Sequence, residues 1–413
     1  MSEHSRITLD RYGLMMDGRY QIPLCASLFY FRIPAGCWLD RIRKLKRAGY
    51  SCADVYFPWN HHELSPGEWS FEGERDVDAF LRLMAQEGMQ VVARPGPYIC
   101  SEWDGGAIPA WLLTDGKPIR SADPEWMRPV AAWYDHILPC IVRHQVDQGG
   151  SVILLQVENE LDFFDCPDPR AYQSELAAMA RRHGIRVPIF GCAGQGSVQG
   201  ATGYAPDVLP TFNFYPDVTD ASFDSVCLAV HEALAERGMP LFITETGREH
   251  FLLRRELANG ARFLGAYNQV GGTNFGFSSS INNWGKGDSP LSFLTTDYDF
   301  QSMVDAAGCY RPEVLEGRLL GGLLDALGNR LACATVRKRH GLRVRWEEAS
   351  SHMDDAGVLS DMGIDGALLC LPNFTERTQR AEVSVDVGER TNRAISFRAV
   401  IGTGQAPFQI GRA

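Results

Sequence analysis

Two apolar segments of this sequence end in acidic residues whose spacing could support carboxyl chemistry. Residues 152–155 lead into the motif Gln-Val-Glu-Asn-Glu at 156–160, and residues 240–244 lead into Glu245. Hydrolysis of a sugar linkage needs one carboxylic acid that delivers a proton and one carboxylate at the anomeric carbon. Two strands that each end in a glutamate therefore predict a candidate glycosidase site, provided that the fold brings the strand ends together.

The chemistry of such a pair places different demands on its two members. The acid needs a pKa raised by burial or by a like charge, whereas the nucleophile must stay ionised and accept hydrogen bonds. Asn159 could serve the sugar directly, because its amide can donate to a hydroxyl beside the anomeric carbon. The structural alternative makes Glu160 and Glu245 helix-start residues, since carboxylates favour the first turn of a helix. Spacing alone does not separate these interpretations.

The segments that must position these residues alternate between apolar, strand-like stretches and amphipathic, helix-like ones. This alternation is typical of a parallel sheet wrapped by helices. We predict strands at 24–31, 52–57, 89–95, 152–158, 187–192, 211–215, 241–244 and 271–275. We predict helices between them at 37–48, 74–87, 124–144, 169–183, 223–237 and 254–269.

Eight strand and helix repeats within about 250 residues match an α/β fold of the (β/α)8 TIM barrel type, whose catalytic groups lie where strands end. The alternative is an open doubly wound sheet, but no Gly-x-Gly-x-x-Gly loop follows the first predicted strand. After a helix at 312–327, the sequence turns to alternating strands at 342–346, 367–371 and 381–387. We therefore expect a catalytic barrel over residues 1–328 and a small β-rich, sandwich-like domain over residues 329–413.

The composition narrows the class of protein. The chain has 413 residues, of which 45% are hydrophobic and 22% charged, and a net charge of -11 that argues against a nucleic-acid partner. Its 11 cysteines are odd in number and often lie in apolar strands, which favours free thiols in a reducing compartment. Without an apolar signal segment near Met1 or a membrane-length apolar run, we expect a cytoplasmic protein with no membrane partner. The oligomeric state is not indicated.

Two other motifs could be mistaken for a metal or phosphate site. His61, His62 and Glu63 are adjacent, and adjacent loop residues cannot face one ion as an i, i+4 pair on a helix can. The glycine-rich segment at 271–276 lacks the Lys-Ser/Thr ending of a phosphate-binding loop, so we expect it to shape the barrel mouth. We predict no metal and no cofactor.

The chain resembles glycoside hydrolase family 35, the β-galactosidase family, over residues 17–328. The matching motifs are Phe29-Tyr30-Phe31-Arg32, Tyr56-Phe57-Pro58-Trp59-Asn60, Arg-Pro-Gly-Pro-Tyr-Ile-Cys-Ser-Glu-Trp at 94–103, Pro-Ala-Trp-Leu-Leu at 109–113, the acidic motif at 156–160, and Gly-Gly-Thr-Asn-Phe-Gly at 271–276. The resemblance implies a clan A barrel and a retaining mechanism that removes terminal non-reducing β-D-galactose. It implies Glu160 as acid/base and Glu245 as nucleophile, and leaves Glu158 without a catalytic role.

The same resemblance implies which residues bind the carbohydrate substrate. Tyr56, Cys100, Ser101, Glu102, Asn159 and Tyr298 would line the galactose pocket. Glu102 can accept hydrogen bonds from two neighbouring hydroxyls, and each tyrosine offers an apolar ring and a polar tip. Tyr215, at the end of the sixth predicted strand, is a candidate for a hydrogen bond to Glu245, with packing at the barrel rim as the alternative. We expect ordinary core packing for Trp59.

Departures from the family pattern leave the substrate open. Residues 149–151 read Gly-Gly-Ser where the family has Gly-Gly-Pro, and Leu161 stands where an aromatic usually follows the acid/base. Glu245 precedes Thr246-Gly247-Arg248 where the family has aromatics, and no tryptophan follows until Trp284. The aromatic wall is therefore missing or supplied elsewhere. Alternatives are a related exo-β-glycosidase such as an exo-β-glucosaminidase, a β-galactosidase confined to one linkage, or a sugar-binding barrel without turnover.

Overall fold

A closed barrel of eight parallel strands forms the centre of the fold. The computed structural model describes residues 6–194, 196–217, 220, 222–274, 281–282, 292–293, 296–337, 342–347, 358–375, 377–386, 394–401 and 408–411. The barrel strands are β1 (Leu24–Ser27), β2 (Cys52–Tyr56), β3 (Gln90–Arg94), β4 (Val152–Asn159), β5 (Ile189–Ala193), β6 (Val208–Phe214), β7 (Leu241–Gly247) and β8 (Ala261–Tyr267). Each strand lies beside its neighbours in sequence, and β8 closes onto β1. The predicted (β/α)8 barrel is confirmed.

Continuous apolar segments form these strands because both of their faces are covered. All eight residues of β4 are buried, as are all five of β2 and β5. Strands covered on both faces read as unbroken hydrophobic runs without alternation. The register of β5 against β4 shifts between Phe190 and Cys192, so that Cys192 lies opposite Asn159. Such irregularities occur next to active sites, where they redirect side chains.

Helices surround the barrel at most of the predicted places. They are α1 (Trp38–Arg47), α2 (Trp59–His62), α3 (Val77–Gln86), α4 (Ala110–Thr114), α5 (Pro124–Arg143), α6 (Pro169–Arg182), α7 (Val198–Thr202), α8 (Phe223–Glu236), α9 (His250–Ala258) and α10 (Val314–Ala332). Asp76, Asp123 and Asp168 cap α3, α5 and α6 by accepting from backbone N–H groups of the first turn. Proline at the first position of α5 and α6 suits a helix start, since its missing N–H would be unpaired there.

The eighth strand and the helix before it were predicted wrongly. A helix expected at 254–269 ends at Ala258, and β8 occupies Ala261–Tyr267 where helix was expected. Gly260 separates the two with a φ of +100°, and a Cβ there would lie 2.7 Å from the ring of His231. β8 is buried nearly throughout although it contains Arg262, so its sequence does not alternate between apolar and polar residues and could not be distinguished from a buried helix. The strand expected at 271–275 is a short ladder outside the barrel, Gly272–Thr273 against Asp297–Tyr298, and Phe275 lies outside the described residues.

The chain divides into two compact units. The first comprises Met1–Thr8, Leu24–Phe214 and Gly265–Gly321, and the second comprises Leu9–Pro23, Tyr215–Leu264 and Gly322–Ala413. The predicted domain boundary after residue 328 falls inside α10 and stays a prediction. Short antiparallel strands lie outside the barrel at Ile7–Asp10, Gly13–Met16, Arg19–Gln21, Glu63–Ser65, Glu68–Trp69, Ile281–Asn282 and Ser292–Phe293.

The last part of the second unit consists of β-strands, as predicted, and these strands pair antiparallel. Its four-stranded sheet contains Thr335–Arg337, Val358–Asp361, Ala367–Cys370 and Phe408–Gly411, and its three-stranded sheet contains Leu342–Trp346, Gln379–Asp386 and Ala394–Ile401. Side chains of both sheets meet in one apolar cluster that includes Trp346, Leu359, Leu369 and Val383. Val387, the end of one predicted strand, lies outside the described residues.

Two composition-based predictions can be compared with the structure. All eleven cysteines are free of disulfide bonds, and Cys25, Cys52 and Cys370 are buried, as predicted. In the part of the chain that the structure describes, no helix has the length and apolar character needed to cross a membrane.

Candidate active site

Glu160 lies immediately beyond β4, at the point where the barrel strand ends. Its backbone is left-handed, with a φ of +47°, and it precedes a 3-10 turn at Leu161–Phe163. The carboxylate does not cap that turn but accepts a hydrogen bond of 2.9 Å from Asn213 Nδ2 at the end of β6. Glu160 therefore begins a helical turn, yet its side chain is directed to a barrel-strand residue and not to the turn's N–H groups.

The surroundings of Glu160 favour its protonated form. Burial raises the pKa of the Glu160 carboxyl above its usual value, and the negative charges of Asp162 and Glu102 raise it further. The hydrogen bond from Asn213 and the charge of Arg120 act in the opposite direction but do not cancel the effect. A raised pKa is the property that a carboxylic acid needs in order to deliver a proton near neutral pH.

Gly194, just past β5, provides the space that the Glu160 carboxyl occupies. A Cβ at this position would lie 2.6 Å from Glu160 Oε1 and 2.1 Å from Phe163 Cε2. Real side chains do not approach so closely, so any residue other than glycine would displace one of the two groups. The Asp162 carboxylate accepts from the Gly194 N–H at 2.9 Å and from the Ser197 N–H at 3.3 Å, which ties this segment to the turn after Glu160.

Glu158 is engaged in a buried ion pair. Arg120 Nη2 lies 2.7 Å from Glu158 Oε1, and the hydroxyl of Tyr172 donates to Oε2 at 2.7 Å. Arg120 also donates to the backbone carbonyl of Asn159 at 2.6 Å and lies 3.8 Å from the centre of the Tyr98 ring. Glu158 thus holds Arg120 against the backbone of the acidic motif, which gives it a structural role beside Glu160.

Asn159 ends β4 with its amide oriented by two neighbours. Its Oδ1 accepts from Gln156 Nε2 at 2.9 Å and from Cys192 Sγ at 3.3 Å. These bonds fix which end of the amide faces the interior, so Nδ2 is the atom that can donate to a ligand. The register shift that places Cys192 opposite Asn159 is therefore part of how the site is built.

Glu102, one of the residues predicted to bind the sugar, accepts hydrogen bonds from two tyrosine hydroxyls. Tyr267 at the end of β8 donates to Glu102 Oε2 at 2.9 Å, and Tyr298 donates to the same oxygen. The two hydroxyls also contact one another, and burial raises both of their pKa values well above the usual range. Two residues predicted for the pocket, Tyr298 and Glu102, are therefore in contact, and Tyr267, which was not predicted, contacts both.

The segment that carries Glu102 has an unusual backbone. Cys100, Ser101 and Glu102 have consecutive positive φ values of 54°, 58° and 42°, a conformation that costs energy for residues other than glycine. The buried guanidinium of Arg32 holds the segment by donating to Ser101 Oγ at 3.0 Å and to the Ser101 carbonyl at 2.7 Å. Its central carbon lies 3.6 Å from the centre of the Tyr298 ring. Arg32 thereby connects the strained segment to the tyrosine beside Glu102.

Tyr56 and Trp59 are both fully buried. The Tyr56 ring, at the end of β2, packs against Phe29 and Tyr267, with centroid distances of 5.3 and 6.3 Å. Trp59 stacks on Trp133 and donates to Glu63 at 2.6 Å, which is the core packing expected of it. Tyr56 belongs to the same aromatic group as Tyr267, whereas Trp59 does not contribute to the site.

His61 and His62 lie in packed surroundings. The His62 ring stacks on Phe71 with centroids 4.5 Å apart, and burial lowers its pKa to about 3. Within the described residues, no three histidine, cysteine or acidic side chains are arranged to hold a metal ion.

The second compact unit contains Glu245, which lies within β7 and is 9% exposed. Its Oε1 accepts from the hydroxyl of Tyr215 at 2.5 Å, so the hydrogen bond expected from Tyr215 is present. The side chain of Thr246 is buried and donates to Glu256 Oε1 on α9 at 2.6 Å. Burial raises the pKa of Glu256 to about 8. The side chain of Thr246 is therefore directed to α9.

The expected residues fall into two groups by unit. Glu160, Asn159, Glu102, Ser101, Cys100, Tyr56 and Tyr298 belong to the first unit, and Glu245 and Tyr215 belong to the second. The cooperation of Glu160 with Glu245 stays a prediction. Sequence reasoning missed Asn213, Gly194 and Tyr267. Asn213 and Tyr267 end barrel strands, which was the available signal, but Tyr267 was hidden by the wrong helix at 254–269.

Comparison with known proteins identifies the family. The model of glycosyl hydrolases family 35 matches residues 13–322. A β-galactosidase of Felis catus is 34% identical over 315 residues, covering 71% of this chain and 45% of the relative, and a β-galactosidase of Homo sapiens is 32% identical, covering 73% and 46%. The chain thus spans about half the length of the curated relatives it matches.

A solved structure supports the fold independently. An exo-β-1,4-mannosidase from an Opitutaceae bacterium superposes with a TM-score of 0.55 at 15% sequence identity, covering 80% of this chain and 63% of that one. At this identity the likeness concerns the barrel fold. Since the family model covers three quarters of the sequence and both candidate carboxylates, this chain belongs to family 35 of the glycosyl hydrolases.

Proposed function

We propose that this chain is an exo-acting, retaining β-galactosidase that removes terminal non-reducing β-D-galactose. The observation that carries the proposal is the family 35 match, which includes Glu160, Glu245 and every predicted pocket residue. The raised pKa of Glu160 supports its assignment as the acid. The curated relatives named above are β-galactosidases, which favours galactose over other sugars as the substrate.

In the proposed first step, Glu160 protonates the glycosidic oxygen while Glu245 attacks the anomeric carbon. The leaving group departs with the proton, and a covalent galactosyl ester forms on Glu245. In the second step, the ionised Glu160 takes a proton from water, which attacks the anomeric carbon and releases Glu245 as a carboxylate. The hydroxyl of Tyr215 stabilises the negative charge on Glu245 before attack and after release.

The proposed galactose pocket uses the groups around Asn159 and Glu102. Asn159 Nδ2 donates to the hydroxyl beside the anomeric carbon, where hydrogen bonds strengthen as the oxocarbenium-like transition state forms. Glu102 accepts hydrogen bonds from neighbouring hydroxyls of the sugar. Tyr267 and Tyr298 already donate to one oxygen of Glu102, so they fix the direction in which its other oxygen faces. The pocket is therefore set by buried groups before the sugar binds.

The Glu245→Gln variant tests the proposal. Glutamine keeps the size of the side chain but cannot form the ester, so we expect kcat on a nitrophenyl β-galactoside to fall by at least about 10⁴-fold. Circular dichroism should show an unchanged fold. The matched control is Glu249→Gln, which changes a partly exposed glutamate of the same segment and should leave turnover within about twofold.

Full activity of a verified Glu245→Gln protein would refute the assignment of the nucleophile. A panel of nitrophenyl glycosides tests the sugar separately. Preference for β-galactoside supports the proposal, whereas preference for β-glucosaminide supports the related exo-glycosidase.

We also propose a cytoplasmic location, supported by the eleven free cysteines, which fractionation of the source cells would test.

A further inference from the structure

Phe163 presents a large apolar ring to solvent directly beside the proposed acid/base. It is the last residue of the 3-10 turn that follows Glu160. Within that turn Leu161 is fully buried, whereas Phe163 is 46% exposed. Single exposed aromatic side chains are ordinary on protein surfaces. Exposure alone therefore does not give Phe163 a function, whereas its position beside Glu160 is suited to a role in binding substrate.

Gly194 brings the ring and the carboxyl group to the same place. Phe163 Cε2 and Glu160 Oε1 both lie so close to Gly194 that a Cβ on this glycine would overlap each of them. The edge of the Phe163 ring and the Glu160 carboxyl therefore lie next to the same glycine. A leaving group bonded to the glycosidic oxygen that Glu160 protonates would therefore lie near the ring.

The position of the ring is fixed by the turn that carries it. Asp162 binds the backbone N–H groups of Gly194 and Ser197, which holds the turn against the end of β5. The next residue, Phe164, lies under the guanidinium of Arg120 with the ring centre 5.0 Å from its central carbon. Contacts on both sides of Phe163 thus pre-organise its ring, which lowers the entropy that a ligand must overcome on binding.

The residues proposed to bind galactose and the ring of Phe163 differ in their exposure to solvent. The groups proposed to bind galactose are buried, with Asn159 and Tyr298 each 2% exposed. In an exo-acting enzyme the terminal sugar enters a closed pocket, so the leaving group points outward. The half-exposed ring beside Glu160 therefore lies on the leaving-group side.

We infer that Phe163 forms the binding platform for a sugar in the leaving-group position. This inference rests on the proposed function and adds to it the residue that would contact a sugar in the leaving-group position. The apolar C–H face of a pyranose fits against an aromatic ring, while its hydroxyls stay in water. Phe163 thereby supplies, from the segment after β4, an aromatic surface that Thr246-Gly247-Arg248 after the nucleophile does not contain.

The experiment compares two kinds of galactosyl donor that share galactose and differ in the leaving group. β-D-galactosyl fluoride has no leaving-group sugar, whereas β1,3-, β1,4- and β1,6-linked galactosyl-glucose disaccharides have one. We expect Phe163→Ala to lower kcat/KM for the best disaccharide about tenfold more than for the fluoride. Phe163→Trp, which keeps a ring, should restore the ratio to within about threefold of wild type.

The control is Tyr310→Ala, which also removes a partly exposed aromatic ring. Tyr310 is 38% exposed, and its hydroxyl donates to the Lys44 carbonyl on α1 and not to a residue of the proposed site. This variant should leave the ratio of the two kcat/KM values unchanged. Equal losses on both donors in Phe163→Ala, or no loss on the disaccharide, would overturn the platform. A wild-type protein that cleaves the fluoride but no disaccharide would overturn the sugar subsite and leave the proposed reaction standing. Inactivity of the wild type on all donors would overturn the proposed function itself.

Discussion

At the scale of single residues, each candidate carboxylate has a hydrogen-bond donor of its own. Asn213 donates to Glu160 and Tyr215 donates to Glu245, although the two donors are only two positions apart in sequence. The acidic motifs could be predicted because they follow apolar strands. Tyr215 could also be predicted as a partner of Glu245, because it ends the sixth predicted strand. Asn213 and Gly194 could not be predicted, because they reach Glu160 only when distant segments fold together. Contacts between distant segments leave no local pattern in a single sequence.

The charge of Asp162 gives a pH-dependent prediction at this scale. Asp162 raises the pKa of Glu160, so Asp162→Asn should lower that pKa. The proton that Glu160 donates would then be lost at lower pH, and the alkaline limb of the kcat/KM profile should move toward acid. Asparagine keeps one oxygen to accept from Gly194, which limits disruption of the segment.

A pH profile of kcat/KM on a nitrophenyl β-galactoside provides the measurement, with Asp165→Asn as the control. Asp165 is exposed on the same segment and should leave the profile in place. If the alkaline limb of Asp162→Asn is unchanged or moves to higher pH, Asp162 does not raise the pKa of Glu160.

At the scale of elements, the sequence allowed seven of the eight barrel strands to be placed, and β8 shows why the last failed. Strands such as β2 and β4 are bounded by turn residues and alternate with helices of evident amphipathic pattern. The segment from α9 through β8 is buried almost throughout, although it contains Glu256 and three arginines. Its sequence therefore lacks the separate apolar and polar faces that would distinguish a strand from a helix. Gly260 marks the true boundary by its positive φ, a property that a glycine in a sequence does not reveal.

The contact between β7 and α9 gives a stability prediction at this scale. Glu256 is fully buried, its Oε2 has no hydrogen-bond partner among the described residues, and its pKa is raised from 4.5 to about 8. A carboxyl whose folded pKa lies above its unfolded value contributes stability below the unfolded pKa and loses it as pH rises through the folded one. Stability should therefore fall between pH 4.5 and 8.

Glu256→Gln should remove that loss, because glutamine stays neutral while still accepting from Thr246. Each pKa unit corresponds to about 1.4 kcal/mol, so we expect the variant to gain several kcal/mol in unfolding free energy at pH 8 and nothing at pH 4. Urea denaturation at both pH values measures the difference. Glu232→Gln, at an exposed site on α8, should show no such gain. A variant less stable than wild type at pH 8 would contradict the neutral buried carboxyl.

At the scale of the whole molecule, a family 35 barrel is joined to a short run of antiparallel strands in a chain about half the length of its curated relatives. The barrel could be predicted from its repeating pattern because each repeat is local. The proposed catalytic pairing of Glu160 with Glu245 joins residues that are far apart in sequence, and it stays a prediction. The claim that Glu245 becomes covalently attached to the sugar is therefore the most consequential prediction for the molecule.

Trapping that intermediate tests the claim most directly. A 2-deoxy-2-fluoro-β-D-galactosyl fluoride should form the ester and hydrolyse it slowly, because fluorine beside the anomeric carbon destabilises the oxocarbenium-like transition states of both steps. Peptide mass spectrometry of the inactivated protein should locate one fluorogalactosyl group on Glu245, and activity should return as the label is lost. A label on Glu160 or another residue, or slow turnover of this substrate without any label, would contradict the double-displacement mechanism proposed for this chain.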